Sequence, residues 1–114
     1  MKFIILLSIF FSSISFAAGW TSSAVPTRVD IERGNGLMVY GAFGNPGNCT
    51  TTNKFYVLKS HPQYQQIHAT VLAAFMAGKK VDVYIHTCQP VPWYSVPSTT
   101  YNTMDGLSAL NLTK

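Results

Sequence analysis

Residues 60–85 read SHPQYQQIHATVLAAFMAGKKVDVYI, and this stretch decides the fold class. Tyr64, Ile67, His68, Val71, Leu72 and Phe75 recur at the three- and four-residue spacing that lines one face of a helix. Ser60 stands where a capping residue belongs. Gln63 is its capping-box partner, and Pro62 lies in the first turn, where no N–H is needed. Gly78 follows the periodic run and can take the left-handed conformation that closes a helix. Beyond it the period changes to two. Val81, Val83 and Ile85 alternate with Asp82, Tyr84 and His86, the pattern of a half-buried strand.

Working outward, the remaining elements read as strands. Val25, Thr27, Val29 and Ile31 alternate with Pro26, Arg28, Asp30 and Glu32 in a first strand, with Pro26 near its start or on an edge. Gly34-Asn35-Gly36 is hairpin turn chemistry, and Leu37 to Phe43 forms a second strand. Residues 44–48 form a loop leading to Cys49, and Phe55 to Leu58 is a third strand. After the helix and the strand at Val81–Ile85, Cys88 to Ser98 reads as a Pro-rich aromatic loop. A last strand falls within Leu107 to Leu112. The order β-β-β-α-β-β predicts a mainly β (α+β) fold. It is that of a small five-stranded, OB-fold-like barrel with one helix between strands 3 and 4. Other small α+β arrangements share the same order.

The N-terminus has the three parts of a secretory signal. Lys2 is the positive region, Phe3 to Phe11 the apolar run, and Ser15-Phe16-Ala17 puts small residues at the positions signal peptidase needs. Serines interrupt the run, which falls short of the ~20 residues of a membrane span. The expected organisation is a signal peptide over 1–17 and a single domain over 18–114, periplasmic or secreted. Cys49 and Cys88 are the only cysteines. In an exported chain they most simply form one disulfide, worth roughly 4 kcal/mol by loop entropy. A metal pair or a reactive thiol is the alternative, though neither cysteine has a second one in CxxC spacing.

Eight Lys and Arg stand against four Asp and Glu, scattered along the chain. There is no basic stripe of the kind nucleic acid requires, so no nucleic-acid partner is expected. Three histidines with no HxxxH motif give no metal site, and no P-loop, GxSxG or dinucleotide fingerprint is present. Neither a cofactor nor an enzymatic activity is expected. Trp93 and Tyr94, in the loop before the last strand, are the candidate ligand residues. A ring there can stack on a sugar face while Tyr94 adds a hydroxyl bond; the alternative is that Trp93 plugs the barrel end. The helix carries no charge from His61 to Ala77. Its second face, Gln66, Ala69, Ala73 and Ala77, permits close approach of another surface and is the candidate oligomer face.

Several short motifs complete the reading: Gly19-Trp20-Thr21 just after the signal, Ala77-Gly78-Lys79-Lys80 closing the helix, Val81-Asp82-Val83-Tyr84-Ile85, Trp93 in a Pro-rich loop, and Gly106-Leu107-Ser108 near the end. With these the chain resembles the B subunits of the subtilase cytotoxin and typhoid toxin type. The resemblance implies an exported OB-fold subunit, a homo-oligomer of five copies, a cell-surface glycan as ligand and an A-type partner chain. Those subunits bind sialylated glycans with a serine near the start of the first strand. Here that region reads Ala24-Val25-Pro26, with Ser22 and Ser23 close by as the nearest candidates. A related exported family that keeps the barrel without the toxin, a periplasmic accessory protein with no sugar binding, is the alternative.

Overall fold

The computed structural model describes residues 18–32, 36–91 and 98–113. The signal-peptide reading of 1–17, the hairpin turn at 33–35 and the Trp93-Tyr94 pair fall outside the described residues. Nine elements follow in the order β1 (Gly19–Trp20), β2 (Arg28–Glu32), β3 (Gly36–Tyr40), β4 (Lys54–Leu58), α1 (Tyr64–Ala77), β5 (Lys80–Ile85), β6 (Thr87–Pro90), β7 (Thr100–Met104) and β8 (Ala109–Thr113). The fold is mainly β with one helix. No helix among the described residues is long and apolar enough to cross a membrane.

The strands form a five-stranded sheet in the order β2-β3-β4-β7-β6 and a three-stranded sheet in the order β1-β5-β8. All neighbours are antiparallel except β4 and β7, which run parallel with Phe55, Tyr56 and Val57 opposite Asn102, Thr103 and Met104. Three segments serve both sheets. Residues 19–24 run along β5, through Thr21 N–H to the Val83 carbonyl at 2.8 Å and Ala24 N–H to the Val81 carbonyl at 3.0 Å. The same segment then crosses to β3, where Thr27 N–H meets the Tyr40 carbonyl at 2.8 Å. Pro26 is buried at this corner, where a residue without an N–H leaves no ladder bond unmade. β5 passes into β6 at His86, and β7 into β8 through a turn at Asp105, whose carbonyl accepts from Ser108 N–H at 3.0 Å. Strands that bend from one sheet to the next make the corners between the two sheets.

The core fills the space between the sheets. Leu37, Val39, Phe55, Val57, Val81, Val83, Ile85 and Met104 pack there with Ile67, Val71 and Ala74 of α1. Phe43 meets Phe55 edge-on, ring centroids 5.0 Å apart. Val29 joins this core as the alternation predicts, but Ile31 at the end of β2 is 68% exposed.

The helix departs from expectation at its start. Ser60 does not cap it. α1 begins at Tyr64 with Gln63 as the capping residue, and no side-chain cap bond forms. Residues 60–63 form a turn instead: His61 N–H reaches the Leu58 carbonyl at 2.9 Å, and His61 Nδ1 accepts from Gln63 N–H at 3.0 Å. The short span between β4 and α1 pulls these residues into the turn, and the His61 ring takes the bond that a serine hydroxyl was expected to make. The C-terminal end matches its reading, with Gly78 in the left-handed region at φ 66°.

Cys49 and Cys88 form a disulfide, Cα atoms 5.6 Å apart. It ties β6 to the loop before β4. Beside it Asn102, fully buried on β7, accepts from Gly47 N–H at 2.8 Å and donates to the Asn45 side chain at 3.0 Å. Asn45 in turn brackets Cys49, accepting from its N–H and donating to its carbonyl, each at 2.8 Å. Neither the Asn45 nor the Asn102 side chain is left without a partner in this buried knot, which is the condition for burying it.

Candidate functional site

The outward face of the three-stranded sheet carries an aromatic platform. Val81, Val83 and Ile85 point into the core, so Asp82, Tyr84 and His86 point away from it. Trp20 on β1 lies opposite Tyr84 in register. It stands edge-on to the Tyr84 ring at 5.4 Å and remains 50% exposed. His86 lies beside Tyr84, ring centroids 6.3 Å apart. One step along β5, Asp82 accepts from the Asn111 side chain of β8 at 3.2 Å. The same sheet face therefore presents a half-exposed indole against a phenol, an imidazole beside the phenol, and a carboxylate–carboxamide pair further along. An aromatic ring with one face in water and polar groups at its border suits a ligand that is apolar on one side and hydroxylated at its rim.

Backbone pairing holds Trp20 in place. Thr21 next to it is buried, and its hydroxyl accepts from Val83 N–H at 2.9 Å. Ser22 and Ser23, the candidates nearest the serine of the resembled family, follow directly and are exposed. Ser22 N–H binds the Phe43 carbonyl at 3.0 Å, so the pair stands beside the loop that begins at Gly44.

A second aromatic group covers the outer face of the five-stranded sheet. Met38, Tyr56, Val91 and Tyr101 form a buried cluster with Tyr40 and Leu58 packed against it. Arg28 lies over the Tyr40 ring at 5.0 Å, and Lys54 over Tyr40 and Tyr101 at 5.2 and 5.9 Å. Burial, and secondarily the neighbouring Tyr40, raise the pKa of the Tyr101 hydroxyl above the usual tyrosine value. Arg28 also pairs with Asp30 at 2.9 Å. Val91 belongs to this cluster, and Trp93 and Tyr94 follow it in sequence.

The four residues of the candidate oligomer face, Gln66, Ala69, Ala73 and Ala77, are all exposed on α1. Phe75 and Met76 beside them are 40% and 80% exposed. Among the described residues no group of three His, Cys, Asp or Glu is placed to hold a metal.

Reading by period missed Trp20 as a site residue because β1 spans two residues, too few to show a pattern. The available signal was a tryptophan immediately before a run of small polar residues. Comparison with protein-family models, with curated proteins and with solved structures gives no match.

Proposed function

We propose that this chain is an exported, non-catalytic binding module that recognises glycans and acts as a homo-oligomer. The observation that carries the reading is the half-exposed Trp20, edge-on to Tyr84, on a sheet face that also carries His86 beside Tyr84 and the Asp82–Asn111 pair. A pyranose ring stacks its apolar face on an indole and turns its hydroxyls to polar groups at the rim. Such single sites are weak, and several copies convert weak sites into avidity.

The strand pairings support an OB-like barrel. If residues 19–32, 80–90 and 100–113 are each taken as one bent strand, the chain has five strands paired in a ring, 1-2-3-5-4-1, with the helix between the third and fourth. In that fold ligands meet the face of the second and third strands and the loops at either end of it. The Tyr40–Tyr56–Tyr101 face and the Trp93-Tyr94 loop occupy the corresponding positions in the chain, so they form a second candidate surface.

A glycan array probed with the exported, assembled protein tests the reading. Hits are expected, with binding at least tenfold weaker for Trp20→Ala, about 1.4 kcal/mol. Hits that survive Trp20→Ala but vanish with Trp93→Ala and Tyr94→Ala move the site to the second surface. An array without hits rejects glycan recognition and leaves an accessory protein that uses the barrel for protein contacts alone.

A further inference from the structure

Where the chain leaves β3 and re-enters at β4 lies a cleft of about 310 Å3, lined by Thr27, Tyr40, Gly41, Ala42 and Asn53. No aspartate or glutamate lines it. Thr27, Ala42 and Asn53 are exposed, so the cleft lies open to solvent.

Two independent observations give this cleft its chemistry. The first is charge. Strand register sets Arg28, Tyr40 and Lys54 side by side on β2, β3 and β4. Both cations stand over the Tyr40 ring, Arg28 at 5.0 Å and Lys54 at 5.2 Å from its centroid. The two charges therefore lie within about 10 Å of each other, inside one Debye length at moderate salt, where they repel. Arg28 is paired with Asp30 at 2.9 Å, which compensates one of them. Lys54 has no carboxylate partner among the described residues, and its ammonium is held over the rings of Tyr40 and Tyr101 instead. One uncompensated positive charge thus stands over a ring that lines the cleft.

The second is Asn53. Its backbone is in the left-handed region at φ 60°. Three bonds hold it there. Its N–H donates to the Gly44 carbonyl at 2.9 Å, its carbonyl accepts from Gly41 N–H at 3.1 Å, and Oδ1 accepts from Gly44 N–H at 3.0 Å. With Oδ1 committed, the carboxamide nitrogen is the group this side chain has left for a ligand. A positioned N–H donor next in sequence to an uncompensated ammonium is a donor set for an anion.

We infer that the cleft binds the carboxylate of a uronic-acid residue within a polysaccharide chain. The inference rests on the glycan reading above for the sugar and adds the charge, on the other sheet from Trp20. Lys54 Nζ and the Asn53 carboxamide donate to the carboxylate oxygens. The Thr27 hydroxyl, which donates to the Tyr40 carbonyl at 3.2 Å, accepts from a sugar hydroxyl. One uncompensated charge matches a monoanion, whereas a nucleic acid asks for a row of cations. The open lining lets a chain cross the cleft, so the residue bound is an internal one and not a chain end.

The test is amide chemical-shift mapping on the isotope-labelled full chain after export. The probes are oligomers of galacturonate and of mannuronate, with their neutral methyl esters as controls. Saturable shifts are expected at Gly41, Ala42, Asn53 and Lys54 with at least one acid. Its ester binds about tenfold more weakly, and added salt weakens the acid more than the ester. Lys54→Gln loses about tenfold in affinity, and Lys54→Arg keeps most of it. Asn53→Asp tolerates the left-handed backbone, keeps an oxygen for Gly44 N–H, and removes binding by repulsion. No shifts at millimolar acid, equal affinity for acid and ester, or an acid affinity unchanged in Lys54→Gln and Asn53→Asp overturns the inference. Tighter binding of a glutamate oligomer of equal charge overturns it as well and assigns the cleft to an acidic protein segment. The indole signal of Trp20 reports the glycan surface separately: a neutral glycan that moves it, while the acids leave the cleft unmoved, rejects this inference alone.

Discussion

Gly47 shows how little room the disulfide knot leaves. A Cβ there would lie 2.7 Å from Asn102 Oδ1 and 3.0 and 3.1 Å from the two sulfurs. None of these atoms is a flexible side-chain tip: Asn102 is fully buried, and the sulfurs are joined to each other. Gly47→Ala is therefore expected to cost about 1–3 kcal/mol through overpacking, read as a lower urea midpoint with an unchanged slope. Tyr101 yields a second prediction. Its folded pKa is raised, first by burial and then by Tyr40, so the folded state keeps the proton longer than the unfolded chain. The stabilisation is present below the ordinary value of 10.0 and is lost as pH rises above it. The melting temperature should fall between about pH 9 and 11, and fall less steeply in Tyr101→Phe. Equal slopes in the two proteins would reject this origin.

At the scale of elements, α1 separates two kinds of side chain that look alike in sequence. Ser60 is exposed and makes no cap, whereas His61 Nδ1 holds the Gln63 N–H. Ser60→Ala should leave stability within about 0.5 kcal/mol of wild type, while His61→Ala should cost about 1–3 kcal/mol by leaving that N–H unpaired. Thermal denaturation of the pair distinguishes this turn from a capping box, which reverses the ranking. The outer face of the helix bears on assembly. Ala73 is exposed, so Ala73→Glu should not destabilise a single chain. If the helix face meets another copy, the buried unpaired charge breaks the contact. Native mass spectrometry should then show wild-type oligomers and Ala73→Glu monomers; a wild type that stays monomeric at tens of micromolar rejects the oligomer.

At the scale of the whole molecule, the disulfide joins β6 to the loop before β4, two regions 39 residues apart. Replacing Cys49 and Cys88 together by serine should lower stability by about 2–4 kcal/mol. Protein purified without reductant should take up no alkylating agent until it is reduced. Uptake of two equivalents before reduction would show that the pair is not oxidised in the purified protein.

Much of this architecture was legible in local pattern. The period of Tyr64 to Leu72, the stop at Gly78 and the alternation of Val81, Val83 and Ile85 are written in spacing, because an amphipathic element must show its own repeat; Phe75, read on the same stripe, is instead 40% exposed, and Ala74 is buried in its place. The disulfide was legible as well, since a chain with only two cysteines has one possible internal pairing. What tertiary structure alone decided are the features whose pattern packing erases. β7 was not predicted: Tyr101, Asn102, Thr103 and Met104 are all buried, and a strand covered on both faces loses its alternation. β6 was hidden in a stretch that reads as a Pro-rich loop. The crossings at Pro26, His86 and Asp105, and the parallel pairing of β4 with β7, depend on contacts between distant segments. The same holds for the candidate sites. Trp20 meets Tyr84 only once the first strand has paired with β5. Local spacing records what each element buries; which elements then share a surface is determined by how the strands pair.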